Sequence, residues 1–208
     1  MTDDTETWHE QSEDAAARIR HLFGAGRLHR VRDESVLAVI TDAASRAILA
    51  EVGLPGEAMK IFTLAPALAE GRPRSWAEHE AAEPGDIAAD RSPERDGWLI
   101  LGELLYSQAA LDPSSGEVWQ LPEVGGPPHP VNRSLGDFVG FLCAFEEAVQ
   151  ACDRESGKDG VGVDEYYEFC VALGEKLEAR LRAVDPEALA DEERVWDNTL
   201  FEISEGMW

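Results

Sequence analysis

Residues 98–121 read WLILGELLYSQAALDPSSGEVWQL. Two stretches, WLILG at 98–102 and LLYSQAAL at 104–111, are apolar enough to be central strands. Asp-Pro-Ser-Ser-Gly at 112–116 then brings together the residue types that a tight turn favours. The Asp can bond amides two or three residues on, the Pro has its φ already fixed, and the Gly can take positive φ without a Cβ clash. EVWQL at 117–121 returns the chain, so the stretch predicts an antiparallel meander with no catalytic signature of its own.

The chain downstream of the meander is helical in pattern. After EVGGPPHP at 123–130, Ser134 and Asp137 form an S-x-x-D capping box, whose side chains can satisfy amides left free at a helix start. Phe138, Phe141, Leu142, Phe145, Val149 and Cys152 then line one broad face, which marks this helix as a principal layer against the sheet. Beyond a glycine-rich stretch at 156–162, Tyr166, Phe169, Cys170, Leu173, Leu177, Leu181 and Val184 form a second long stripe. A last helix turns on Trp196, Leu200 and Ile203.

Upstream, Ala15, Ile19, Leu22 and Phe23 recur at helical spacing within 8–23, and Gly-Ala-Gly at 24–26 stops them. RLHRVRDESVLAVI at 27–40 reads as a short extended piece. Thr41 is placed to cap a helix carrying Ala44, Ile48, Leu49 and Val52, which Gly53 and Pro55 end. MKIFTL at 59–64 reads as a strand. Residues 65–97 mix Pro, Gly and both signs of charge and read as a long loop. One core over 41–208 with a helical extension over 1–40 is the expected organisation.

Composition narrows the function. The 208 residues are 44% hydrophobic and 29% charged, which suits a folded globular chain. The formal net charge of -24 repels nucleic acid and anionic membrane alike and favours a basic protein partner. High acidity also serves solubility alone. Cys143, Cys152 and Cys170 fall in apolar helical patterns with no CxxC pair, so buried free thiols are expected rather than zinc or redox chemistry. The acidic N-terminus, MTDDTETWHEQSEDAAARIR, lacks the apolar core of a secretory signal, and no run reaches spanning length, so a cytoplasmic protein is expected.

Familiar catalytic and ligand motifs fail on spacing. DRESGKDGVGVDE at 153–165 has oxygen ligands between helices, as a calcium loop does. With Asp153 first, however, Lys158 takes the position that needs glycine, and Asp164 stands where a bidentate glutamate belongs. SGKD at 156–159 lacks the upstream frame of a phosphate loop, and Asp159 replaces its hydroxyl. His79 with Glu80 and Glu83 lacks a second histidine at i+4, so these read as solvated polar residues. Asn132-Arg133-Ser134 matches a glycosylation sequon but reads more simply as the lead-in to a helix. With no GxSxG and no exposed Cys-His pair, no enzymatic turnover, cofactor or metal is expected.

LAEVGLP, then a strand, then WLILGELLYSQAALDPSSGEVWQL, then VNRSLGDFVGFL, and finally DPEALADEERVWDNTLFEISEGMW follow one another in an order that resembles the SUKH superfamily, in particular its SUKH-4 type of bacterial immunity protein. The resemblance covers about residues 41–208. It implies an α+β fold, a mainly antiparallel sheet packed by helices, and a role as antidote to a cognate polymorphic toxin domain, often a nuclease or nucleic-acid deaminase. A second implication is a signalling or scaffold adaptor of the related Smi1/Knr4 kind. The family has no catalytic triad to carry over.

For a basic toxin partner, the densest candidate contact is the acidic group Asp153, Glu155, Asp159, Asp164 and Glu165. It lies in a tract, 146–208, that holds eighteen acidic and six basic residues. The competing reading of the same five is a solvated connection between helices.

Overall fold

A computed structural model describes residues 16–82, 93–121, 127–190 and 195–208. Helix α1 is seen over 16–23, followed by a two-residue strand β1 (Leu28–His29), α2 (Glu34–Val39) and α3 (Ala43–Ala47). The last turn of α3 widens to π form over Ile48–Val52. Gly53, with φ 88°, ends it as the sequence pattern predicts, and β2 (Leu54–Pro55) pairs antiparallel with β1.

Strands β3 (Glu57–Ala58) and β4 (Phe62–Leu64) open the main sheet, and α4 (Pro66–Ala69) and α5 (Trp76–Ala82) follow. The meander itself is β5 (Leu99–Leu104), β6 (Ser107–Leu111), β7 (Val118–Leu121) and β8 (His129–Asn132). Neighbours in sequence are neighbours in space, so the six strands run β3-β4-β5-β6-β7-β8, each pair antiparallel. Helices α6 (Leu135–Ser156), α7 (Val163–Val184) and α8 (Val195–Ser204) complete the α+β fold.

The two sheet faces are covered unequally. Phe62, Leu64, Leu99, Leu101, Leu104, Ala109, Leu111, Val118 and Val131 are buried in one cluster with the apolar face of α6. Phe62 meets Phe138 edge-on at 5.5 Å. Trp196 of α8 stacks on Phe145 at 5.3 Å and touches Phe138 and Phe141. A fully buried tryptophan of this kind is worth about 3–5 kcal/mol against alanine. The other face carries a smaller cluster, Trp98, Ile100, Ala110 and Leu121, packed with Trp76 and with Trp119, which stacks on Trp98 at 5.3 Å.

Several local expectations change. Residues 27–40 are extended only at Leu28–His29. Asp33 accepts the Ser35 amide at 2.9 Å and starts α2, a cap signal outweighed in the sequence by the basic cluster before it. The cap of α3 is Asp42, which accepts the Ser45 amide at 2.7 Å, while Thr41 donates its own amide to Pro113 O at 2.9 Å. The expected strand at 59–64 holds only from Phe62, because Met59 and Lys60 turn the chain between β3 and β4. The expected loop at 65–97 contains α4, α5 and a 3-10 turn at Pro93–Arg95, and its residues 83–92 lie outside the described residues. β5 runs through Glu103, and the hairpin turns at Leu105 and Tyr106. Ile19, Phe23, Val31 and Ile40 belong to the same buried cluster as the sheet and α6, so the packing is continuous across residue 40.

Candidate partner-binding surface

All five acids of the sequence reading fall in one helix-turn-helix connection. Asp153 and Glu155 belong to the last turn of α6, because the Gly157 amide still reaches Asp153 O at 3.1 Å. That helical geometry removes the twelve-residue loop that a calcium site would need. Asp159 follows in the turn, and Asp164 and Glu165 stand in the first turn of α7. Asp153, Asp159, Asp164 and Glu165 are exposed, and Glu155 is half-buried with its Oε2 accepting from Lys158 Nζ at 2.5 Å.

The helix ends treat these charges differently. Carboxylates at the start of α7 face the positive end of a helix dipole, which has no side-chain cap there, and are favoured. Asp153 and Glu155 stand at the negative end of α6, where the dipole opposes them. Arg154 and Lys158 offset only part of that repulsion, so the connection presents a net negative surface.

At the opposite end of α6 and α7 the helices are tied together by a buried polar group that the sequence pattern does not announce. Trp196 Nε1 donates to Asn132 Oδ1 at 3.0 Å, and Asn132 Nδ2 donates to Asp185 Oδ2 at 3.1 Å. The same Asp185 oxygen accepts the Arg133 amide at 3.0 Å. One residue of β8 thus links the end of α7 to the first turn of α8. Arg133 donates from Nε to Asp137 Oδ2 at 2.9 Å and from Nη2 to Val184 O. Asp137, by hydrogen bond and charge, raises the Arg133 pKa above its ordinary value. Asn132 is the first residue of the sequon-like triplet. Its role depends on contacts 53 and 64 residues away, which no local pattern encodes.

The capping box forms in altered detail. Ser134 Oγ accepts the Asp137 amide at 3.0 Å, as expected, but the Asp137 carboxylate accepts the Ser134 hydroxyl at 2.9 Å.

Reactive side chains are arranged for packing. All three cysteines are buried and free, with Cys152 and Cys170 in sulfur contact at 3.9 Å between α6 and α7. Burial pushes the Cys143 and Cys152 thiols up to about 12, where the thiolate needed for nucleophilic attack is scarce. His79 lies in α5 stacked on Trp76 at 5.9 Å, and Glu83 lies outside the described residues. Among the described residues, no cluster of three or more His, Cys, Asp or Glu could hold a metal. None of the described helices is long and apolar enough to cross a membrane. A groove of about 380 Å³ opens on the thinly covered sheet face, lined by Thr63, Arg74, His79, Ile100, Glu103 and Gln108. Its lining mixes both signs of charge.

A family model described as SUKH-4 immunity protein matches residues 15–202. No curated protein and no solved structure matches the chain.

Proposed function

Since the chain belongs to the SUKH-4 immunity protein family, we propose that it is a bacterial antidote that binds and occludes a cognate polymorphic toxin domain in the cytoplasm. The match over 15–202 carries this reading. The toxin class that best fits the charge is a nuclease or nucleic-acid deaminase. Such enzymes hold phosphates in basic grooves, and a chain of net charge -24 meets that groove with complementary potential and salt-sensitive association.

Asp153, Glu155, Asp159, Asp164 and Glu165 are the contact residues assigned to this role. They share one connection, and removing charge from exposed helix ends costs the fold little. Co-expression with the toxin domain encoded beside the gene tests the reading: growth is rescued if the chain is the antidote, and persistent killing despite soluble expression rejects it. Reversing Asp153, Asp159 and Asp164 to Lys is expected to slow association about tenfold at low salt and to flatten its salt dependence, with thermal stability nearly unchanged. An unchanged association rate removes this connection from the interface.

A further inference from the structure

Backbone strain in this molecule is concentrated in one place. Among the described residues, the non-glycine positions with positive φ are Met59 (51°), Lys60 (62°), Leu105 (45°) and Tyr106 (62°). They form the tips of two adjacent hairpins, β3–β4 and β5–β6. Two consecutive left-handed residues make the turn type for which Asn-Gly is preferred, because other side chains crowd their own backbone there. Neither tip has an Asn or a Gly.

Packing accounts for half of the strain. Met59 is buried, and Leu105 packs against the main core, so these side chains are needed inside. Lys60 and Tyr106 are exposed, Tyr106 at 80%. An aromatic ring this open contributes little burial to the fold, yet it stands where glycine would relieve the backbone.

The tips are also held in place. Leu105 N donates to Ile61 O at 2.9 Å, joining one tip to the other. Gln120 Nε2 donates to Leu104 O at 3.2 Å. Met59 N donates to Glu146 Oε2 at 3.1 Å, which seats the ledge against α6. From Glu146, Asp153 lies seven residues along the same helix, about 10 Å at 1.5 Å per residue. The two joined tips, and with them a strained, exposed tyrosine, thus stand beside the middle of α6, about two turns short of the acidic connection.

Resting on the antidote reading above, we infer that Tyr106 is the apolar anchor of the interface, inserted into a pocket on a basic toxin domain whose surrounding charge meets the acidic end of α6. Interface anchors are commonly tyrosines that are rigid before binding, with charge at the rim steering the approach. The partner is a protein with an apolar pocket rimmed by Lys and Arg.

The test compares Tyr106→Gly with the wild-type chain and with Tyr106→Phe, using the toxin domain encoded beside the gene as probe. Tyr106→Gly is expected to raise the melting temperature by roughly 2–3 °C and to speed dissociation at least tenfold, leaving the association rate and its salt dependence unchanged. Tyr106→Phe retains wild-type dissociation to within about threefold. Wild-type dissociation in Tyr106→Gly overturns the anchor, and a lowered melting temperature shows that the ring serves the fold. A wild-type chain that fails to bind the probe rejects the antidote reading itself, and the anchor with it. Binding by the wild type together with an unchanged dissociation rate in Tyr106→Gly rejects the anchor alone.

Discussion

Strand β6 has a turn at each end, and the two are built on opposite terms. At 112–116, Asp112 accepts from the Ser114 amide and hydroxyl at 2.8 and 2.7 Å, Gly116 takes a φ of 81°, and Pro113 O receives the Thr41 and Asp42 amides. The turn uses the residue types that its geometry favours, and it docks the start of α3. At 105–106 the chain makes a left-handed turn with Leu and Tyr, against their local preference. Where residue type and backbone agree, the turn serves the fold. Where they disagree and the side chain is exposed, the side chain is the feature that needs a reason.

Substitutions at the two ends should therefore change stability in opposite directions. The largest effect is expected at Gly116, where an added Cβ would stand 2.7 Å from Asp42 Oδ2, the acceptor that caps α3. Gly116→Ala combines left-handed strain with damage to that cap and is expected to cost about 2–3 kcal/mol, read by chemical denaturation. A cost under about 0.5 kcal/mol would show that the two turns are not different in kind.

Asp112→Ala comes next, at about 1 kcal/mol at neutral pH, for the loss of its bonds to Ser114 and Ser115. Burial works against the Asp112 charge, but the bonds from Ser114 and Ser115 together outweigh it and hold the carboxyl below its ordinary value. A lowered folded pKa stabilises above the unfolded value, near 3.9, and that contribution is lost as pH falls through the folded value. The gap between wild type and Asp112→Ala is thus full at pH 7 and narrows below about pH 4. A gap that widens on acidification contradicts this assignment.

The smallest effect carries the opposite sign. Lys60→Gly, at the exposed position of the other strained tip, is expected to stabilise by about 0.5 kcal/mol, the relief of strain less the added freedom of glycine when unfolded. Denaturation midpoints of the three variants measured together would sharpen the contrast. Destabilisation by Lys60→Gly would remove strain as the distinguishing property of the left-handed tips.

The same contrast explains what could be read from sequence. The DPSSG turn and the Ser134–Asp137 helix start were legible because their chemistry is local, so the β6–β7 turn and the start of α6 fell where the pattern put them. Ser75 and Glu78 form a cap at α5, with the Ser75 amide donating to Glu78 Oε2 at 2.8 Å. That signal was present but stood in a Pro- and Gly-rich stretch that reads as loop. The turn at Leu105–Tyr106 had no signal, since strand pairing alone forces it. In the acidic connection, Asp153 and Glu155 read as part of the link between helices, while the structure carries α6 through them to Ser156. The Asn132 node and the strained ledge join residues far apart in sequence, and they became visible only in the fold.

The central claim is neutralisation by binding rather than by turnover. Its most direct test is a titration of toxin activity with this protein at toxin concentrations well above the dissociation constant. The account predicts a linear loss of activity that ends at a fixed stoichiometric ratio, with inhibition setting in more slowly as salt is raised. Complete loss of activity at a small fraction of that ratio, progressing with time, would contradict it by showing that one molecule of the chain inactivates many of the toxin.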